Sequence, residues 1–168
     1  VRHERQPRHA RAGQRRLPMR WVTPIAAALL LGACGQTTSK CGPSTAQVDF
    51  VVDGDTLELA GGTRIRLLLV DTPETTQGKN DCYGQEAKAF TSSLVAGKTV
   101  ALAYDEAACT DRFGRTLAYV TVDGVELNAE LAKRGLACFL FVKPGGEARQ
   151  EEFATWESEA QTNRVGMW

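Results

Sequence analysis

Three short clusters of charged residues hold most of the chemistry this chain has to offer. They are Asp53-Gly54-Asp55-Thr56, the run Arg66-Leu67-Leu68-Leu69-Val70-Asp71-Thr72-Pro73-Glu74, and Asp111-Arg112-Phe113-Gly114-Arg115. Each has an ordinary explanation when taken singly. An isolated Asp-Gly-Asp is a turn between strands. An Arg beside acids on an apolar strand is a paired structural charge, and an exposed charged turn contributes little. Taken together they form a working set. Asp55 and Asp71, with the Thr72 carbonyl, are the oxygen donors that a hard cation takes. Glu74 can draw a proton from water as a general base. Arg66 and Arg115 can grip a phosphate bidentately and stabilise the added charge of a pentacoordinate phosphorus. The pattern is not an EF-hand loop, whose later ligands and closing Glu are missing.

Histidine narrows the choice. The chain has two, His3 and His9, and residues 34–168 have none. That excludes Ser-His-Asp and Cys-His catalysis in this part, His-based phosphodiester hydrolysis and most zinc hydrolase sites. Carboxylates, arginines and a hard metal ion remain, which is enough for a phosphodiesterase.

The elements that must position these clusters are short. Val48–Val52, Thr56–Leu59, Thr63–Val70, Thr99–Tyr104 and Leu117–Val122 read as strands, with Gly61-Gly62 and Asp123-Gly124 as turns. Residues 73–82 form a polar loop, with Gly78-Lys79-Asn80-Asp81 as its mobile part. Tyr83, Ala87, Phe90 and Leu94 fall at helical spacing over about 83–95. A second helix covers about 127–134 with Gly135 as its terminator. Phe139–Val142 is a short extended piece, and Phe153, Trp156 and Ala160 mark a last helix. Five short strands with a helix after the third predict a β-rich α+β protein built on a small barrel of the OB type.

The charge balance is uneven. The 168 residues carry 20 basic and 20 acidic side chains. Seven of the basic ones and one acid lie in residues 1–33, so 34–168 has 13 basic and 19 acidic, a net charge of −6. The basic flank ending at Arg20, the apolar run Trp21–Leu31 and the small residues Gly32-Ala33 predict a signal peptide over 1–33, with Met19 an alternative start. The run is too short to span a membrane. Leu31-Gly32-Ala33-Cys34 resembles a bacterial lipobox, so Cys34 is expected to carry lipid and to anchor the protein at a membrane facing the periplasm or cell exterior. Residues 34–47 then form a flexible tether, and 48–168 the folded domain. Cys41, Cys82, Cys109 and Cys138 remain, an even number in an exported chain. Spacing allows three pairings and does not choose among them; a Cys82–Cys109 bridge, one of them, would be a structural staple.

The order and spacing of the clusters closely resemble the staphylococcal (thermonuclease, or micrococcal nuclease) family. The matching stretches are Asp53–Thr56, Arg66–Thr75, Tyr83-Gly84-Gln85-Glu86-Ala87, Asp111–Arg115 with Leu117-Ala118-Tyr119, Gly135-Leu136-Ala137, Lys143-Pro144 and Glu159-Ala160-Gln161 to Trp168. The resemblance implies a five-stranded OB-fold barrel with three helices and a Ca²⁺-dependent nuclease that leaves 3′-phosphates on DNA and RNA. It implies Asp55, Asp71 and Thr72 as Ca²⁺ ligands, Glu74 as base, and Arg66 and Arg115 as the catalytic pair. Arg64 shares a strand face with Arg66, and alternation alone does not choose between them; the motif chooses Arg66. Two departures stand out. Phe113 replaces a tyrosine, and Phe139-Leu140-Phe141 stands where the family has Tyr-x-Tyr. Arg112, Phe113 and Phe141 are therefore the expected substrate contacts, the rings serving for base stacking. The acidic balance predicts weak, salt-sensitive binding that leans on Ca²⁺ and on a basic patch of Arg64, Arg66, Arg112 and Arg115. A monomer with no obligate protein partner is expected. The rival readings are a non-catalytic OB-fold nucleic-acid-binding lipoprotein and, behind it, a lipoprotein that binds a protein or peptide.

Overall fold

Alternating apolar and polar residues build the barrel. The computed structural model describes Val1 and residues 39–168 except Gln77 and Asn80. The expected signal peptide, Cys34 and the first tether residues lie outside the described residues, as does Asn80 of the loop. Strand β1 runs Thr45–Asp53, β2 Thr56–Leu59, β3 Arg64–Leu67, β4 Leu69–Asp71, β5 Thr99–Ala103, β6 Thr116–Val122, β7 Val125–Glu126 and β8 Cys138–Leu140. The helices are α1 Gly84–Val95, α2 Leu127–Lys133 and α3 Gln150–Asn163. The order β3-β2-β1-β5-β6 closes through a parallel β3–β6 pairing, which makes a five-stranded barrel with three helices. β1 serves two partners. Its residues Thr45–Gln47 pair with β5 and Val48–Asp53 with β2, and irregularities after Val48 and Val51 bend it between them.

The inward faces make one core. Val48, Leu57, Ile65, Leu67, Val100 and Val120 come from the barrel, Leu127 and Leu131 from α2, and Phe153 from α3. Ala87, Thr91 and Val95, four residues apart, give α1 its buried stripe. The Thr91 hydroxyl donates to the Gly54 carbonyl at 2.7 Å, which fastens α1 to the Asp53–Asp55 turn. Among the described residues no helix is long and apolar enough to cross a membrane.

Three expectations change. The tether does not extend to 47. Ser39–Ser44 is fastened to the barrel and β1 begins at Thr45, because Cys41 is bonded to Cys109 and Leu102 N–H donates to the Ser44 carbonyl. The Cys82–Cys109 staple is overturned by that Cys41–Cys109 bond, which leaves Cys82 and Cys138 as free thiols. The third strand is not continuous over 63–70. It breaks at Leu68, with Leu69 at φ 65°, and β4 leaves the barrel to pair with β8.

A buried asparagine holds this break. Asn128 donates to the Leu68 carbonyl (2.9 Å) and the Ala118 carbonyl (3.2 Å), and its own oxygen accepts from Val120 N–H (3.0 Å). Asn128→Leu would keep the volume and remove the partner of two buried backbone groups, the Leu68 carbonyl and Val120 N–H, while the Ala118 carbonyl keeps its bond from Leu68 N–H (3.0 Å). It should cost about 3 kcal/mol of stability, read as a lowered midpoint in urea.

Candidate active site

Every one of the three clusters is anchored by backbone geometry before any substrate is considered. In the first, Gly54 is needed because a Cβ there would lie 2.8 Å from the Thr72 side chain and 2.9 Å from Ala87. That close approach lets Asp55 reach across. Its Oδ2 accepts from Thr72 N–H (2.8 Å) and Thr72 Oγ1 (3.1 Å), and its Oδ1 from Thr56 Oγ1 (2.8 Å). Asp55, Thr72 and Arg66 are all buried.

Arg66 is held by the strand break beside it. One Nη donates to the carbonyls of Leu67 and Val70; the other donates to Asp71 Oδ1 and itself lies 3.4 Å from Asp55 Oδ2. The kink at Leu68 turns the Val70 carbonyl back toward the guanidinium. A straight strand would carry Asp71 away. Burial pushes the Asp71 carboxyl above its ordinary range; Arg66 pulls it down and the Asp55 charge pushes it up again, with the net upward.

Glu74 is exposed, and the segment that carries it is pinned by Asp53. The buried Asp53 carboxylate accepts from Thr75 N–H (3.2 Å), Thr75 Oγ1 (2.7 Å) and Thr76 Oγ1 (3.3 Å). Thr76 Oγ1 also lies 3.1 Å from Glu74 Oε2. Asp53 is thus a positioning residue that motif reading passed over in favour of Asp55. The available signal was its place at the end of a strand, two residues from Asp55, with hydroxyls following Glu74.

The third cluster is a tight turn. Asp111 accepts from the backbone N–H of Phe113 and Arg115 (both 2.9 Å) and from Arg115 Nε (2.7 Å), and Gly114 takes φ 77° to close it. Burial alone would raise the Asp111 carboxyl, but these bonds outweigh it and hold it below its ordinary range. Phe113 is 69% exposed, with the Arg112 guanidinium 4.7 Å and that of Arg115 5.5 Å from its ring centre.

These pieces meet at two adjoining openings. One is a cavity of about 530 Å³ that Arg66, Arg112, Phe113, Arg115, Leu140 and Lys143 help to line. The other is a shallower groove whose walls include Arg64, Glu74, Phe113 and Arg115. Phe141 is not part of either. It packs against the core, while Leu140 and Val142 line the cavity. Aromatic content pointed to Phe139 and Phe141, but a one-residue offset in an extended segment reverses which face each side chain takes. Lys143, noticed only as part of Lys-Pro, also lines the cavity.

The residues that line the cavity fall within one sequence-family match. The Staphylococcal nuclease homologue family matches over residues 64–168. The chain belongs to the staphylococcal nuclease family. Membership covers β3 onward, so it includes Arg66, Asp71, Thr72, Glu74 and Arg115. Asp55 lies ahead of that stretch, and its link to the others rests on its bonds to Thr72 and its nearness to Arg66. Among family relatives, the chain is 36% identical over 135 residues to the thermonuclease of Staphylococcus hyicus, covering 77% of this chain and 79% of that one. It is 35% identical over 127 residues to endonuclease YncB of Bacillus subtilis (strain 168), covering 72% of this chain and 60% of that one. It is also 35% identical over 127 residues to the SPbeta prophage-derived endonuclease YokF of the same strain, covering 72% of this chain and 43% of that one. The chain therefore spans about half the length of those two Bacillus relatives.

The donor set fits a hard divalent cation. Asp55 and Asp71 supply two carboxylates, and Thr72, next to Asp71 in sequence, a backbone carbonyl. Among the described residues no group of three or more His, Cys, Asp or Glu converges.

Proposed function

We propose that this protein is a Ca²⁺-dependent nuclease that hydrolyses DNA and RNA to 3′-phosphate products, exported and held at a membrane by lipid on Cys34. One observation carries the reading. Arg66, touching the Asp55–Asp71 pair, shares a cavity with Arg115, and Arg115 shares a groove with Glu74, in a domain without histidine.

In this reading Arg66 and Arg115 hold the non-bridging oxygens of the scissile phosphate and stabilise the negative charge that grows on them. Glu74 orients the attacking water and takes its proton on a carboxylate oxygen, with the Thr76 hydroxyl steadying Oε2. The water oxygen bonds to phosphorus, the bond to the 5′ oxygen breaks with its electron pair passing to that oxygen, which takes up a proton from solvent, and the phosphate stays on the 3′ side. Asp55, Asp71 and the Thr72 carbonyl would hold Ca²⁺, which supplies charge neutralisation at a phosphoryl oxygen when bound. Phe113 offers an exposed ring to a base, and Leu140 and Val142 an apolar wall. The arginines and Lys143 make the openings locally basic in a domain that is acidic as a whole, so affinity should fall steeply with salt.

The test is degradation of plasmid and single-stranded DNA by the purified, oxidised protein. Ca²⁺ should support cleavage with 3′-phosphate ends and EGTA should abolish it. A folded protein that binds oligonucleotides in Ca²⁺ without cutting them would instead be the non-catalytic OB-fold module.

A further inference from the structure

The two openings divide the machinery between them. Arg66 lines only the cavity, and Glu74 lines only the groove. Phe113 and Arg115 form the seam common to both. A phosphate gripped by Arg66 and Arg115 and attacked from the Glu74 side therefore sits at the seam. One neighbour of the scissile bond occupies the cavity, and the strand on the other side must leave along the groove. The groove continues beyond Glu74 onto the β2–β3 turn, where Gly62, Thr63 and Arg64 line it.

Arg64 has the properties of a phosphate contact at that end. It lies two residues from Arg66 on the same face of β3, roughly 6.7 Å along the strand, a step comparable with the spacing of successive phosphates on an extended nucleic-acid strand. Its side chain is 57% exposed. Its one ion pair, Nε to Glu58 Oε2, is long at 3.3 Å and open to solvent, so it holds the guanidinium weakly. The glycines at the turn leave the approach to the groove free of side chains: a Cβ on Gly62 would meet nothing within 4 Å.

We infer that Arg64 binds the phosphate flanking the scissile bond on the groove side. This rests on the nuclease reading and adds to it a second phosphate subsite. Arg64 does not take part in the bond-breaking step. Its loss should raise KM and leave kcat unchanged.

The experiment compares the full-length protein with Arg64→Ala, Arg64→Lys and Lys98→Ala on a single-stranded oligonucleotide, over a range of salt, in Ca²⁺. Lys98 is an exposed cation paired with Asp123, outside both openings, and controls for the change in net charge. Arg64→Ala should raise KM about tenfold and make the slope of log KM against log salt shallower by about 0.7, the value for one single-strand phosphate contact. Arg64→Lys should restore most of the slope, and Lys98→Ala should match the unaltered protein. A dinucleotide, which has no flanking phosphate, should be cut equally by all four. Cleavage by the unaltered protein with equal slopes for Arg64→Ala and Lys98→Ala would overturn the subsite and leave the nuclease intact. A lowered kcat with unchanged KM would also overturn it. No cleavage by the unaltered protein would overturn the nuclease reading and the subsite with it.

Discussion

Glu74→Gln should slow phosphodiester cleavage by about 10²–10⁴-fold, the usual contribution of a general base. The substitution keeps the side chain's length and shape and removes its capacity to accept a proton. Glu74 is exposed and its carboxylate contacts only the Thr76 hydroxyl among the described side chains, so no buried partner is left unsatisfied. Thermal unfolding should therefore stay within about 0.5 kcal/mol of the unaltered protein. KM should change little, because the phosphate is held by Arg66 and Arg115 rather than by Glu74. Single-turnover rates in saturating protein, with a melting curve on the same sample, separate the two effects. Glu74→Asp makes a sharper comparison. It retains a carboxylate and withdraws it by one methylene, and misplacement of about 1 Å is enough to cost roughly 10²-fold. An unchanged kcat in both variants would remove Glu74 from the role of base.

The residue types that act on a phosphate were legible because their chemistry demands them locally. The run from Arg66 to Glu74 is contiguous, and the Asp111 turn is closed by its own side chain, so both survive folding as the sequence presents them. The barrel was legible for the same reason, since period-two alternation marks each strand. What lay hidden depends on partners distant in sequence. The break at Leu68 exists because Asn128, 60 residues away, accepts responsibility for the Leu68 carbonyl, and nothing in a run of Leu and Val announces it. The face of Leu140 and Val142 depends on how β8 pairs with β4, where Asp71 opposes Cys138 and Leu69 opposes Leu140. Phe139 and Phe141 pack against the core, while Leu140 and Val142 line the cavity. Asp53 was visible as an acid, but its grip on Thr75 and Thr76 closes over 22 and 23 residues of chain.

The cysteine pairing is the clearest long-range case, and its removal should have a large effect on stability. β1 pairs with β5 through Thr45 opposite Ala101, which brings the residues before β1 beside the loop after β5. Cys41 and Cys109 meet there with Cα atoms 4.9 Å apart across a sequence separation of 68. Cys82, on the far end of the 73–83 loop, has no such approach. Closing a loop of that length restricts the unfolded chain, and the Cys41→Ser, Cys109→Ser double variant should lose about 4 kcal/mol. Either single variant should lose nearly as much, since both delete one bond, and urea unfolding of the three proteins checks this. The loss should reach the active site as well. The clamp includes Ser39 Oγ donating to Glu106 (2.8 Å) and Tyr104 OH donating to the Pro43 carbonyl (2.7 Å). The same loop runs on through Thr110 to the Asp111 turn that aims Arg115. With the bond gone the loop is held by these contacts and by bonds such as Leu117 N–H to the Cys109 carbonyl (2.9 Å) and Gly146 N–H to Asp105 (2.7 Å), none of them covalent, so phosphate binding should suffer through KM well below the unfolding transition. A double variant that unfolds earlier but keeps its KM would show that the Asp111 turn positions Arg115 without help from the clamp.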